Sequence, residues 1–193
     1  MYKLLSIILI LFSFSANAQV SAPKDAGNYI ELLGNSTLVI VTSTATEVEK
    51  ESKLTSLFQQ AIDTDWIGKF VLGRYWRIAT PEQQNTFLIV YKKYLIQNYV
   101  PYFKNYTGEK FSVVSVKPMG DDADLVSTNI LHADGHVTRV DYRVTNLGNN
   151  TFVIRDIVVE GVSLITAGRD EFGSVISRVG IDGLIEMIKN KTN

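Results

Sequence analysis

The chain has 193 residues, 46% of them apolar, with 19 basic and 20 acidic side chains and no cysteine. That near-neutral balance lacks the basic footprint of a nucleic-acid binder, and an exported chain without cysteine takes nothing from disulfides, so apolar burial must hold it together. With four prolines and neither a low-complexity tract nor a block of like charge, residues 19–193 read as a single domain.

The N-terminus sets the compartment. Lys3 precedes an apolar run over residues 4–14, and small residues at Ala16 and Ala18 stand three and one before Gln19. This is the order of a secretory signal peptide spanning residues 1–18, cut after Ala18. The run is too short for a bilayer-spanning helix, which needs about 20 apolar residues, so no stable membrane insertion is expected. Its removal leaves about 175 residues, a length that suits one real core.

Residues 25–103 carry a helical pattern. Tyr29, Leu32, Leu33, Ile40, Thr44 and Val48 recur at steps of three, four or seven, although Gly34 and the β-branched run 39–42 are poor helix formers. "KLTSLFQQAI" forms a second element. Next, Trp66, Phe70 and Gly73 fall on one stripe and Ile67, Val71 and Tyr75 on another. A third start is sharper: Thr80 is the N-cap, Pro81 takes the first helical position and Gln83 completes a capping box. The helix beginning at Pro81 has Phe87, Tyr91, Tyr94, Leu95, Asn98 and Tyr99 at helical spacing.

After Gly108 the period changes to two. "EKFSVVSVKP", "ADLVSTNILHA", "HVTRVDYRVTN" and "TFVIRDIVVEGVSLI" read as four strands in series, with Asp134-Gly135 and Gly148-Asn149 as hairpin turns. Two helical segments close the chain, 169–178 and 182–191, with Gly180 between them as a C-cap. Helices, strands and helices in that order indicate an α+β fold: helices packed on one antiparallel sheet of about four strands.

In the third strand, Val140, Tyr142 and Val144 share a face with Thr138, opposite Arg139, Asp141, Arg143 and Thr145. Alternation in the fourth puts Val153, Arg155, Ile157 and Val159 on one side and Phe152, Ile154, Asp156 and Val158 on the other. Both sides are then apolar. One helical layer covers one sheet face, so the other needs terminal helices, a partner or a bound apolar molecule. The nine Tyr, many in the helical region, suit a surface that is apolar along its body and wet at its tip.

Catalytic and metal motifs are weak. His132 and His136 flank the Asp134-Gly135 turn, but two histidines make a poor zinc site. "DDAD" at 121–124 lacks the glycine of a calcium loop. Ser163 follows Gly161, yet Ile165 stands where a nucleophile elbow requires glycine. Gly161 reads as relieving a bend, and Ser163 as making a local backbone bond. Gly73 lets Arg74 or Arg77 reach a phosphate, or serves close helix packing. No catalytic residue, metal or cofactor is assigned.

"FVLGRYWRIATPEQQNTF", "DYRV", "DIVVEGVSLI", Arg169 with Phe172, and "GIDGLI" resemble, in that order, the MlaC family of periplasmic phospholipid-binding proteins, also known as toluene-tolerance proteins. The resemblance covers residues 65–188. It implies a non-enzymatic periplasmic monomer whose helices and curved sheet enclose an apolar cavity. Its phospholipid cargo would shuttle between an outer-membrane lipoprotein-porin complex and an inner-membrane ABC transporter complex, maintaining outer-membrane lipid asymmetry.

On this resemblance the cavity lining comprises Val140, Tyr142, Val144, Ile157 and Val159 from the sheet, continued by Val162 and Leu164. Phe70, Trp76, Tyr91, Leu95 and Tyr99 would face it from the helices, with Phe172 and Ile176 from the C-terminal segment. Each buried methylene is worth about 0.8 kcal/mol, so the tails of a diacyl lipid cannot be released through water and must be hidden almost completely. The alternative reading is a non-catalytic envelope interaction module, its core filled by side chains and its apolar sheet face meeting a protein.

Overall fold

The computed structural model describes residues 23–192, except the side chains of residues 104 and 105; the expected secretory segment lies outside them. Five helices come first: α1 (Ala26–Thr42), α2 (Glu47–Ala61), α3 (Thr64–Leu72), α4 (Arg74–Ile78) and α5 (Pro81–Tyr99), the last extended by a 3-10 turn (Val100–Asn105). Strands β1 (Lys110–Pro118), β2 (Ala123–Leu131), β3 (Val137–Asn146), β4 (Phe152–Val159) and the short β5 (Val162–Ser163) form one antiparallel sheet in chain order. Helix α6 (Leu164–Lys191) ends the fold and is kinked where Gly180 adopts φ 76° and ψ 178°. The architecture is the expected α+β one.

Capping chemistry explains the helix starts. At α5 the Thr80 hydroxyl accepts from the Gln83 N–H, the Gln83 side chain accepts from the Thr80 N–H, and Pro81 occupies the first turn. Thr46 and Glu49 make the same box at α2. This second box splits the expected helical run over residues 25–50. Thr44 falls between the helices, and Val39 and Val48 are exposed rather than core-facing.

Two local features correct the reading of the fourth strand. Pairing of Arg143 with Asp156 and of Val144 with Ile154 leaves Arg155 as an extra residue, a β-bulge. Alternation restarts there, so Phe152 and Ile154 share the face of Ile157 and Val159 instead of opposing it. The strand also ends at Val159. Glu160 and Gly161 both have positive φ, 49° and 84°, as a two-residue type I′ hairpin requires. Val162 pairs with Val159, which returns it to that face by hairpin geometry, and Leu164 opens α6 rather than continuing a strand.

Two apolar cores result. The helical core joins α3, α5 and α6 through Val71, Leu72, Phe87, Leu184 and Ile188, all essentially buried. The sheet core lies between α1 and one sheet face, around Ile30, Val126, Val144, Phe152 and Ile154. Ile62 packs against both. It bridges to Ile154 while the Asp63 N–H donates to the Ile154 carbonyl, so the α2–α3 link crosses the free edge of β4. Helix α1 covers one side of the sheet, and α3 with the start of α6 packs near β4 on the other.

Candidate functional site

Thirteen of the fourteen expected lining residues fall into two groups, and the other, Leu164, is the first residue of α6. Phe70, Trp76, Tyr91, Leu95, Tyr99, Phe172 and Ile176 belong to the helical core. There Phe172 meets Tyr91 edge-on at 5.7 Å and Phe87 at 6.3 Å, while Phe87 and Tyr91 stack at 5.2 Å. Burial raises the Tyr91 hydroxyl well above the usual phenol range. Rings so interlocked fill their own space.

The other group lies on the α1 side of the sheet. Tyr142 pairs with Ile157, and Val140 with Val159, while Val144 sits opposite Ile154 beyond the bulge. Tyr142 is pushed up to about 12 by burial, as is Tyr29 of α1, so both phenols stay neutral over the physiological range. Thr128 satisfies its hydroxyl on the Val140 carbonyl at 2.8 Å. Outward along the row from Val140 through Val159 to Val162, side-chain cover falls away: Val140 is 5% exposed and Val162 57%. An apolar strip thus runs from beneath the helical cover to solvent.

The opposite side of β4 is polar and anchored. Asp156 is buried and accepts from the Ser163 hydroxyl at 2.8 Å and the Ile165 N–H at 3.4 Å. Ser163 in turn accepts from the Thr166 N–H as the α6 N-cap. The expected local role of Ser163 is therefore what the structure has. Arg155, freed by the bulge, pairs with Asp63 at 2.9 Å and stacks on Trp66 at 5.1 Å. Gly73 serves a contact that sequence reasoning missed: a Cβ there would come within 2.9 Å of the Arg169 guanidinium.

Two surface hollows are lined mainly by polar residues, and neither touches an expected lining residue. One, of about 370 Å³, lies between the start of α5 and the second half of α6, beside Gln83 and Asp182. The other, of about 520 Å³, lies at the β2–β3 turn. There the His132 and His136 rings stack at 5.7 Å, and His132 contacts Thr138 Oγ1 at 2.9 Å and Glu109 at 3.8 Å. Among the described residues no group of three or more His, Cys, Asp or Glu is placed to hold a metal ion, and no helix is long and apolar enough to cross a membrane.

Known proteins share the fold. The fold superposes with a TM-score of 0.75 on a phospholipid-binding protein from Ralstonia solanacearum solved in complex with a phospholipid, over 87% of this chain and 97% of that one. At 24% identity the likeness is one of fold. The intermembrane phospholipid transport system binding protein MlaC of Haemophilus influenzae is 25% identical over 135 residues, covering 68% of this chain and 63% of that protein. The toluene tolerance protein ttg2D of Pseudomonas putida is 28% identical over 130 residues, 67% of this chain and 60% of its own length. The matched region thus spans less than two thirds of either relative. The family model for the MlaC protein matches residues 35–190, and the chain belongs to the MlaC family.

Proposed function

We propose that the protein is a non-catalytic phospholipid carrier of a bacterial envelope, holding acyl chains on the α1 side of its sheet. The observation that carries this reading is the apolar row Val140–Val159–Val162, which passes from buried to exposed across three strands. An unsealed apolar row beside a helix-covered sheet is where tails can enter without crossing polar surface. The solved relative of this fold that holds a phospholipid, and the named transport function of the curated relative, support the same reading. Tyr142, Ile157, Val140 and Val159 line the tails. Val144 underlies them in the sheet core, and the helical-core residues Phe70, Trp76, Tyr91, Leu95, Tyr99, Phe172 and Ile176 form the rigid body that backs the sheet.

The carrier works in the periplasm, exported by residues 1–18, as a monomer that exchanges lipid with an outer-membrane lipoprotein-porin complex and an inner-membrane ABC transporter complex. A bilayer and a sealed apolar site hide methylenes equally well, so transfer between them is near balance while release through water is not. Docking, rather than chemistry, then sets the rate, and outer-membrane lipid asymmetry is the expected outcome. Mass spectrometry of lipids from protein purified without detergent tests this: near-stoichiometric phospholipid is expected. A folded protein without lipid would turn the reading to an interaction module.

A further inference from the structure

The α3–α4 corner lies outside the proposed cargo row and gathers cations on aromatic rings. The chain turns sharply at Gly73, with φ 54° and ψ −120°. Beside the turn, Lys69 Nζ lies 5.7 Å from the centre of the Trp76 ring. Arg74 stacks 4.9 Å over Tyr75 and donates a 2.9 Å hydrogen bond to its hydroxyl. Arg77 follows, exposed. From α6, Arg169 stacks on Phe70 at 5.1 Å and rests against Gly73, a position that any side chain at 73 would obstruct. Among the described residues none of these four cations forms an ion pair. Ile78, 74% exposed, projects at the end of α4.

We propose that this corner docks the protein on the anionic headgroup surface of a lipid bilayer. Cations near such a surface each contribute about fivefold in affinity, equivalent to about 1 kcal/mol. Tyr and Trp rings favour the headgroup level, where one end is apolar and the other wet, and Ile78 supplies a short apolar wedge. Lys69, Arg74 and Arg169 are positioned by ring faces and not by fixed hydrogen bonds to carboxylates. Their spread over α3, α4 and α6 suits a fluid layer of phosphates better than one acidic protein socket. The inference goes beyond the carrier reading and stands or falls separately from it.

Flotation of the full chain, exported and purified without detergent, with two vesicle types tests the assignment: phosphatidylcholine alone, and three parts phosphatidylcholine to one part phosphatidylglycerol. Preferential, salt-sensitive binding to the anionic vesicles is expected. The exposed triple variant Lys69→Gln/Arg74→Gln/Arg77→Gln should bind them about a hundredfold more weakly, with its thermal midpoint little changed. Lys92→Gln/Lys93→Gln, on α5, should bind as the parent does. Equal binding to both vesicles, an unweakened triple variant, or an equal loss in the α5 variant would overturn the proposal. So would a triple variant that binds vesicles normally but fails to exchange lipid in the envelope, which would assign the corner to an acidic protein. The phospholipid content of the same preparations reports on the carrier reading alone: an empty protein that still floats with anionic vesicles leaves the docking face standing.

Discussion

The two cores are built from similar residues and do different work. In the helical core three helices surround interlocked rings, and Phe87, Leu184 and Ile188 are fully buried. In the sheet core α1, joined only at its β4 side by Ala61 from the end of α2, lies over a broad strand face, and its border of Tyr29, Leu33, Phe111, Val113, Tyr142 and Ile157 is only partly covered. Close-packed interiors resist any change of volume, whereas a face held by one helix can yield where that helix ends. Rigidity thus sits in the helical half, and room for cargo in the sheet half.

The largest effect expected from this division is a double dissociation. Phe172→Ala deletes a ring that touches Phe87, Tyr91 and Tyr94 and should cost about 3–5 kcal/mol in denaturant unfolding. The fraction that remains folded should keep its phospholipid. Val159→Asp places a charge on the half-covered part of the row and should strip the lipid with a smaller loss of stability; Val140→Asp, at a buried position, should strip it too but at a larger cost in stability. Lipid-to-protein ratios measured on folded material decide the matter. Loss of lipid in Phe172→Ala, with normal loading in both aspartate variants, would reverse the roles of the two cores.

A second effect concerns the seam at β4. Asp156 is the buried acceptor that ties the start of α6 to the strand through Ser163 and Ile165. Removing it leaves the buried Ile165 N–H short of an acceptor and the half-buried Ser163 hydroxyl with Thr166 Oγ1 alone, at about 1–3 kcal/mol. Asp156→Ala should therefore lower the unfolding midpoint, and Ser163→Ala should add little on top of it, because the two share one network. Additive losses would show that the network does not hold the helix start.

Much of this was legible from residue order. The Thr80-Pro81-Gln83 start, the hairpin turns, the third-strand faces and the break at Gly180 each depend on neighbours within a few positions, and local chemistry decides them. The fourth strand was not legible, because a bulge at Arg155 is set by pairing with β3 and leaves no mark in alternation. The polar pair Arg155-Asp156 inside an apolar run was the available signal, as Glu160-Gly161 was for the hairpin. The separation of the lining residues between two cores was also hidden, since periodicity shows that a face is apolar but not what covers it. Gly73 was noticed, but its partner Arg169 comes from a distant helix.

The sheet core should also respond first to alkali. Tyr29 and Tyr142 have folded values of about 12, against about 10 in an unfolded chain. Both shifts come chiefly from burial, which favours the neutral phenol. Their contribution to stability is full below about pH 10 and is lost as pH rises toward 12, because the unfolded state releases its protons first. Absorbance titration of the tyrosinates should show Tyr29→Phe and Tyr142→Phe each removing a late-titrating phenol, with the unfolding midpoint less sensitive to pH above 10. An unchanged alkaline profile in both variants would show that these rings are wetter than their packing implies.

The smallest effect tests whether α1 is the yielding element. Gly34 lets the helix approach β1 so closely that an added Cβ would lie 2.6 Å from the Phe111 ring. Gly34→Ala improves intrinsic helix propensity by about 1 kcal/mol, while the contact forces the ring or the helix to shift, a cost of about 1–3 kcal/mol for overpacking. The two partly offset, leaving a net loss of about 0–2 kcal/mol in unfolding. Lipid exchange is the more revealing readout. A helix held slightly off the sheet face exposes the row beginning at Val140, so transfer of a fluorescent phospholipid to acceptor vesicles should be faster than in the parent. The double variant Gly34→Ala/Phe111→Leu, which relieves the contact, should restore the parent rate. Faster exchange without that restoration would mean that the alanine acts on the unfolded chain or on α1 alone, and the yielding part of the sheet core would have to be sought at the β5 end.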